Sequence, residues 1–530
     1  MYRLYQKIIL LAGLVFVLAS CTKDLNTVPL DPKVKTSANV FDNPAAYKEA
    51  LAKIYAGLAV SGQQGPSGMP DISGIDEGFG QYLRGLWYLE ELPTDEAVIS
   101  WNDQTIKNFH YQSWGSSDVF ISAFYYRIFY QIGLCNEFLR QTTDAKLKER
   151  GVDDALKAKI VHYRAEARFM RALSYYHALD EFGNVPFVTE KDPVGAFFPK
   201  QISRADLFKY IESELKAIEP DLIDARQNEY GRADKAADWT LLAKLYLNAK
   251  VFTGQERNTD CITYCKKVIN AGYSLEPKYQ NLFLADNNLN NNEVIFSVNF
   301  DGVHTKTWGG TTFIIHAAVG GKMNPADYGI DGGWAGTRTT SAFVKKFPDV
   351  TGTKDKRAMF FTDGQTLEIN DVGKFTDGYA ITKFKNITST GAPGSDLTFP
   401  DTDFPMFRLA DVYLMYAEAV VRGGTGGDMA TAVNLVNKLR ERAYGNTSGN
   451  ITASDLTLDF ILNERARELY WEAQRRTDLI RFGKFTGGNY LWPWKGGVKN
   501  GTATDSHYNL YPIPASDITA NPGLVQNPGY

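Results

Sequence analysis

Three tryptophans stand where a hydrophobic core does not use them. Trp101 leads the polar run Trp101-Asn102-Asp103-Gln104, Trp308 precedes Gly309-Gly310, and Trp334 follows Gly329-Ile330-Asp331-Gly332-Gly333. A core tryptophan sits within apolar periodicity; one flanked by Gly, Asp or Asn on a loop offers a flat apolar face. The chemistry open to such faces is stacking on the C–H face of a pyranose ring, with planar Arg or Asn donors taking the hydroxyl pairs. Singly, each tryptophan also reads as a loop anchor. Together with Arg84 and with the long glycine-rich loop from Ser61 to Gly80, they predict a binding surface. That surface is expected on loops at about 61–104 and 300–340.

Carboxylates are the other group able to do chemistry. Glu90, Glu91, Asp95 and Glu96 could furnish a glycosidase pair, which meets only in the fold, but their neighbours predict a solvated loop or helix start. Nucleophile-elbow, HExxH, P-loop and GxGxxG patterns are absent, and the 6 histidines are scattered. No enzyme is expected. Gly423-Gly424-Thr425-Gly426-Gly427 lacks the Lys-Ser/Thr of a phosphate loop and reads as a turn between helices. Asp286, Asn288 and Asn290 alternate like the start of an EF-hand, but Asn291 replaces the Gly and Ser297 the bidentate Glu. A polar loop is the first expectation there and a structural calcium at Asp286 the second; no cofactor is required. Cys261 and Cys265, four apart with no His in the segment, read as a buried helix pair.

The elements that must position these residues are mostly helical. Apolar residues at three- and four-residue spacing mark helices from Pro44, from Val119 to Leu139 and from Ala158 to Phe182, the last stopped by Gly183 and Pro186. Arg164, Arg168 and Arg171 on that last helix are expected to pair with carboxylates rather than to hold an anion. Two helical hairpins, 237–271 and 411–443, carry the related runs Leu245-Tyr246-Leu247-Asn248-Ala249 and Met415-Tyr416-Ala417-Glu418-Ala419. They predict an all-α, tetratricopeptide-like repeat scaffold with units at about 158–277 and 408–481. Glu293–Phe300 and Thr311–Ile315 read as short strands. Asp459–Arg481 reads as one long helix whose Glu464, Glu468 and Glu472 alternate with arginines and support it along its own face.

The chain's ends and totals set the location. Arg3 and Lys7, an apolar run from Ile8 to Leu18, and Leu18-Ala19-Ser20-Cys21 form a signal peptide (1–20) ending in a lipobox. Cys21 is then acylated, 21–39 is an extended tether, and 40–530 is one domain. Several acyl chains anchor far more firmly than one. Net charge is -4 before Arg3 and Lys7 are removed, with 57 Lys+Arg against 61 Asp+Glu, which excludes a nucleic-acid partner of the usual basic kind.

Longer motifs carry a family likeness. They are Cys21-Thr22-Lys23-Asp24-Leu25-Asn26, Glu166-Ala167-Arg168-Phe169-Met170-Arg171-Ala172, Phe182-Gly183-Asn184-Val185-Pro186, Arg408-Leu409-Ala410-Asp411-Val412-Tyr413, Arg476-Thr477-Asp478-Leu479-Ile480-Arg481-Phe482-Gly483, and the tail around Tyr511 and Gln526. Through them the chain from Cys21 to Tyr530 resembles the SusD/RagB family of outer-membrane nutrient-binding lipoproteins. The resemblance implies tetratricopeptide units under an irregular binding surface, and a TonB-dependent transporter over which the lipoprotein sits as a lid. Glu91-Leu92-Pro93-Thr94-Asp95-Glu96, Gly231–Ala237 and Leu491–Gly497 are similar to the starch-binding branch of the family, which implies starch or another α-1,4-glucan as ligand. By position, Arg84, Trp101 and Trp334 match that branch's arginine and two stacking tryptophans, and Trp308 falls where it has tyrosine. Its asparagine falls on Gln104 or on Asn102. The loop from Asp71 to Glu77 matches a loop near the site, which adds Asp71 to the ligand set, while the segment between Phe347 and Tyr379 is shorter. A different glycan, a hydrolase on the same surface and a protein-assembly scaffold are the competing readings.

Overall fold

The computed structural model describes residues 40–289 and 291–530. The expected signal peptide, the acylated Cys21 and the tether to 39 lie outside the described residues, as does Asn290. The chain divides into two compact units after Tyr47. In the first, the described residues include a 3-10 turn at Val40–Asp42, with the Phe41 ring 5.0 Å from that of Tyr47. The second is Lys48–Tyr530, and apart from the first two residues of the helix Ala46–Ala59 it holds the features that follow.

Helix dominates. The main helices are α1 (Ala46–Ala59), α2 (Tyr82–Glu91), α3 (Val119–Gln141), α4 (Asp154–Glu181), α5 (Arg204–Ile218), α6 (Lys235–Leu247), α7 (Asn258–Ile269), α8 (Gly310–Ala318), α9 (Leu409–Val421), α10 (Met429–Tyr444), α11 (Leu458–Leu469) and α12 (Arg475–Arg481). The described strands form only two-stranded antiparallel pairs, of which two concern the site and the core. β1 (Val98–Ile99) pairs with β3 (Thr337–Arg338), and β2 (Val294–Val298) pairs with β4 (Phe404–Arg408). Side-chain caps fix the helix starts: Asp118 before α3, Asp153 before α4, Ser203 before α5, Asp234 before α6 and Thr457 before α11 each accept a backbone N–H of the first turn.

The helices pack as consecutive pairs, α4 on α5, α6 on α7 and α9 on α10, and α7 on α9 joins the last two pairs. This is the expected repeat scaffold, in which each unit buries its apolar face on the next. The arginines of α4 do pair with carboxylates: Arg168 and Arg171 both bond Glu214 of α5, at 2.8–3.0 Å. Cys261 and Cys265 are free and buried on α7, with sulfurs 3.9 Å apart.

Four expectations are corrected. Thr311–Ile315 lies inside helix α8, not in a strand. So short an apolar run has no readable period, and packing against α2 decides its form. The long helix over 459–481 breaks after Leu469 and resumes at Arg475, with Trp471 (φ 63°) and Ala473 (φ 56°) left-handed between. Glu90, Glu91, Asp95 and Glu96 are not on a solvated loop but buried, and they hold that break together, Asp95 through Arg475 at 2.7 and 2.9 Å. Glu91 accepts from Ala473 N–H at 2.8 Å, Glu90 from Thr477 N–H at 3.0 Å and Glu96 from Trp471 N–H at 3.3 Å. The indole N–H of Trp471 adds a bond to the Glu96 carbonyl at 3.2 Å. Backbone groups freed by the break thus find carboxylate partners, without which burial would cost about 1–3 kcal/mol each. Burial and the neighbouring Asp95 charge raise the Glu96 carboxyl above its ordinary range, against the opposing pull of Arg475.

Glu464 and Glu468 lie on α11 before the break, and Glu472 lies within it. They do not decorate one helix face; all are buried in an arginine cluster formed with Arg357, Arg408, Arg440 and Arg442. Helix α2 is therefore bolted to the core at its C-terminal end and carries Arg84 in its first turn.

Candidate functional site

A buried glutamine sets the start of α2. Gln81 accepts from Arg84 N–H at 2.7 Å and from Gly310 N–H at 2.9 Å, and its amide donates to the carbonyls of Leu58 and Ala59 at 2.7 and 3.1 Å. One side chain thereby ties the end of α1, the start of α2 and the start of α8. Gly309 permits this, since a Cβ there would lie 2.4 Å from that of Gln81.

The β1–β3 ladder brings the two distant tryptophan loops together. Val98 pairs with Arg338 and Ile99 with Thr337, so Trp101 and Trp334 leave the same end of it. Ser100 N–H donates to the Gly336 carbonyl at 2.8 Å, and the Trp101 indole N–H donates to the Trp334 carbonyl at 3.0 Å. Trp334 N–H in turn donates to the His316 carbonyl of α8 at 2.8 Å.

The result is a curved aromatic surface. The Trp101 and Trp334 ring centroids lie 6.3 Å apart with planes at 44°, and those of Trp334 and Trp308 lie 6.2 Å apart at 54°. All three tryptophans are half-buried. Phe313 backs Trp101 at 6.0 Å, His316 lies stacked on Trp334 at 4.8 Å and 23°, and Phe399 backs Trp308 at 5.0 Å. Arg84 lies over Phe313 at 4.5 Å and within 5.9 Å of the Trp101 ring, a cation–π arrangement that holds the guanidinium beside the arc. Its Nε donates to the Tyr88 hydroxyl at 2.9 Å and Nη1 to the Trp308 carbonyl at 2.9 Å; Nη2 has no hydrogen-bond partner among the described residues. His316 directs Nδ1 at the Gly332 carbonyl, 2.6 Å, and Nε2 at the Thr398 carbonyl, 2.9 Å. Burial lowers its pKa, while the two carbonyls and Asp331 favour the charged ring.

The structure thus gathers Arg84, Trp101, Trp308 and Trp334. Asn102 and Gln104 follow Trp101 on the same loop and are exposed, with Gln104 left-handed at φ 41°. Ala335, next to Trp334, is left-handed at φ 48°. Non-glycine residues in that region cost about 1–3 kcal/mol, and such strain gathers at ligand clamps. Asp71 is not gathered with them. Its carboxylate is buried between Lys53 Nζ at 2.8 Å and Arg127 at 3.1 Å, and Arg127 also holds the carbonyls of Ser61 and Gly80. It closes the base of the 61–80 loop, whose end does reach the site: a Cβ on Gly78 would lie 3.2 Å from Arg84 and 3.4 Å from Trp308. Asp286 gives both carboxylate oxygens to Ser389, at 2.6 and 2.8 Å, and no group of three or more His, Cys, Asp or Glu suited to a metal occurs among the described residues.

Sequence reading missed Gln81, Phe313, His316 and Phe399. Tyr88 had a signal, four residues after Arg84 on one helix face, and Phe313 and His316 were obscured by the strand reading of α8. Gly336 gives a direct check on the arc. A Cβ there would lie 2.7 Å from the Trp101 indole, which its own hydrogen bond holds in place. Gly336→Ala is expected to displace Trp101 and weaken glycan binding several-fold, with the melting temperature nearly unchanged; calorimetry beside thermal unfolding checks both.

Among the described residues no helix is long and apolar enough to cross a membrane. The SusD family profile matches residues 359–530. The chain is 37% identical to the starch-binding protein SusD of Bacteroides thetaiotaomicron, over 99% of each chain. A solved SusD superfamily protein from Parabacteroides distasonis superposes with a TM-score of 0.71 at 23% identity, covering 94% of this chain and 100% of that one. Surface glycan-binding protein A of Bacteroides thetaiotaomicron, solved with laminarihexaose, gives a TM-score of 0.67 at 20% identity, covering 91% and 98%. With a relative this similar along nearly its whole length, the chain belongs to the SusD family, whose members are binding proteins and not enzymes.

Proposed function

We propose that this protein is a lipid-anchored cell-surface binder of α-1,4-glucans, starch and maltooligosaccharides, that passes them to a TonB-dependent outer-membrane transporter. The observation that carries the reading is the bent arc of Trp101, Trp334 and Trp308. Planes tilted by 44° and 54° suit a glucan that curves along its length better than a flat ribbon, which needs coplanar platforms. The arginine at its rim and the exposed Asn102 and Gln104 amides supply donors for the 2- and 3-hydroxyls. The 37% identical relative named for starch binding supports the same ligand. Cys21, acylated after removal of 1–20, would be the anchor, and the tether would keep the arc beside its transporter, where high effective concentration makes modest affinity sufficient. Calorimetry with maltoheptaose and α-cyclodextrin tests the ligand. Heat with both is expected; binding of laminarihexaose alone would reassign the protein to another glucan.

A further inference from the structure

Two residues before Trp308 the chain lines a second, separate cavity. Its volume is about 460 Å³, within the range of small-molecule sites, and it opens between α1 and the segments 229–232 and 297–306. Arg84, Trp101, Trp308 and Trp334 do not line it.

The lining argues for an uncharged, polyhydroxylated ligand. Its floor is apolar, made by Leu51, Ala52, Ala56 and Val298. Its wall carries charges, but each is already matched. Lys48 pairs with Glu229 at 2.8 Å, Lys53 with Asp71 at 2.8 Å, Arg232 with Glu166 at 2.5 Å, and Lys306 with Asp396 at 3.4 Å. An ionic ligand would find no uncompensated partner. The groups left over are neutral: the Gln63 amide, the Asn299 amide nitrogen and the Thr305 hydroxyl make no side-chain hydrogen bond within the described residues.

An aromatic platform stands beside them. Tyr230 is 47% exposed, and its hydroxyl is anchored on Asp403 at 2.8 Å, so the ring is held in place before any ligand arrives. Gly231 sets it next to Asn299: the backbone there is left-handed at φ +77°, and a Cβ would lie 2.2 Å from the Asn299 amide nitrogen. A fixed phenol face, an adjacent free amide and a free hydroxyl over an apolar floor repeat, on a smaller scale, the chemistry of the tryptophan arc.

We propose that this cavity is a second saccharide site, taking a short segment of a neutral glycan. The choice of sugar rests on the function proposed above, while the location does not. The two sites share one loop, since Lys53 of the cavity wall holds Asp71 at the base of the 61–80 segment whose end touches Arg84 and Trp308. A chain long enough to occupy both would be retained by avidity.

Saturation-transfer NMR with maltotriose and with laminaritriose tests this on five proteins: wild type, Ala52→Trp, the arc variant Trp101→Ala/Trp334→Ala, the arc variant combined with Ala52→Trp, and the arc variant with Asn299→Ala. Ala52 is exposed on α1, so the tryptophan fills the cavity without entering the core; Asn299→Ala, also exposed, is the second probe of the same site. Transfer to at least one sugar is expected to persist in the arc variant, to weaken when Asn299→Ala is added to it, and to vanish when Ala52→Trp is added. Loss of all transfer in the arc variant, or its survival in the combined protein, overturns the second site. Transfer that vanishes with Ala52→Trp alone but not with the arc variant would overturn the arc as the principal site and leave the cavity standing.

Discussion

Trp334→Ala is expected to weaken maltoheptaose binding by about 2 kcal/mol, roughly thirtyfold in Kd. Trp334 is the middle ring of the arc, 6.3 Å from one neighbour and 6.2 Å from the other, so its loss separates the remaining two platforms. The fold should tolerate it. The Trp334 backbone bonds to His316 and Trp101 do not use the indole, and the ring is only half-buried. Trp101→Ala is a less clean probe, because that indole also donates to the Trp334 carbonyl and packs on Phe313. Trp101→Phe keeps a stacking face and loses the hydrogen bond, so it separates ring from anchor. Calorimetry and mobility in starch-containing native gels measure the affinity, and thermal unfolding controls for the fold. Unchanged affinity in Trp334→Ala with an intact melting profile would remove the arc from the proposal.

The arc was legible in the sequence for a definite reason. A tryptophan between glycines and acidic residues has no helical or strand period to belong to, so exposure is its simplest account, and Trp101, Trp308 and Trp334 all obey it. The hairpins were legible through apolar period and caps. The charged core was not. Glu464, Glu468 and Glu472 among arginines read identically whether water or arginine faces them, because one chain shows spacing and not what lies across from it. Glu90, Glu91 and Glu96 misled for the same reason: their partners stand at 471–477, some 380 residues away. Asp71 enters the ligand set only through its loop, and its carboxylate is spent on Arg127 and Lys53, neither of which any local pattern pairs with it.

The largest stability effect is expected at Arg408, the last residue of β4. All five guanidinium N–H groups are used: Nε on Glu472 at 2.7 Å, Nη1 on Glu293 at 2.9 Å and Glu468 at 2.7 Å, Nη2 on Glu472 and on the Glu468 carbonyl, each at 2.7 Å. Arg408→Met keeps the volume and removes one buried cation from Glu293, Glu468 and Glu472, leaving them to Arg442, Arg357 and Lys383, a loss of about 3–5 kcal/mol. Arg408→Lys should fall nearly as far, since an ammonium cannot reproduce the planar fork. Urea unfolding measures both, and the loss should be nearly independent of salt, which screens buried pairs poorly. The pH dependence follows from Glu468. Burial alone would raise its carboxyl, yet Arg442, Arg408 and Arg357 overcome this and hold it below its ordinary value. A carboxyl depressed in the folded state contributes its full stability above the ordinary glutamate range and loses it as pH falls below. The gap between wild type and Arg408→Met should therefore be widest near neutrality and close on acidification. A gap that stays constant down to acid pH would mean that the methionine acts through packing and not through the lost ion pairs. Affinity should change less than stability in either variant, because the end of α2 that presents Arg84 is tied by Gln81 to α1 and α8 rather than by the arginine cluster.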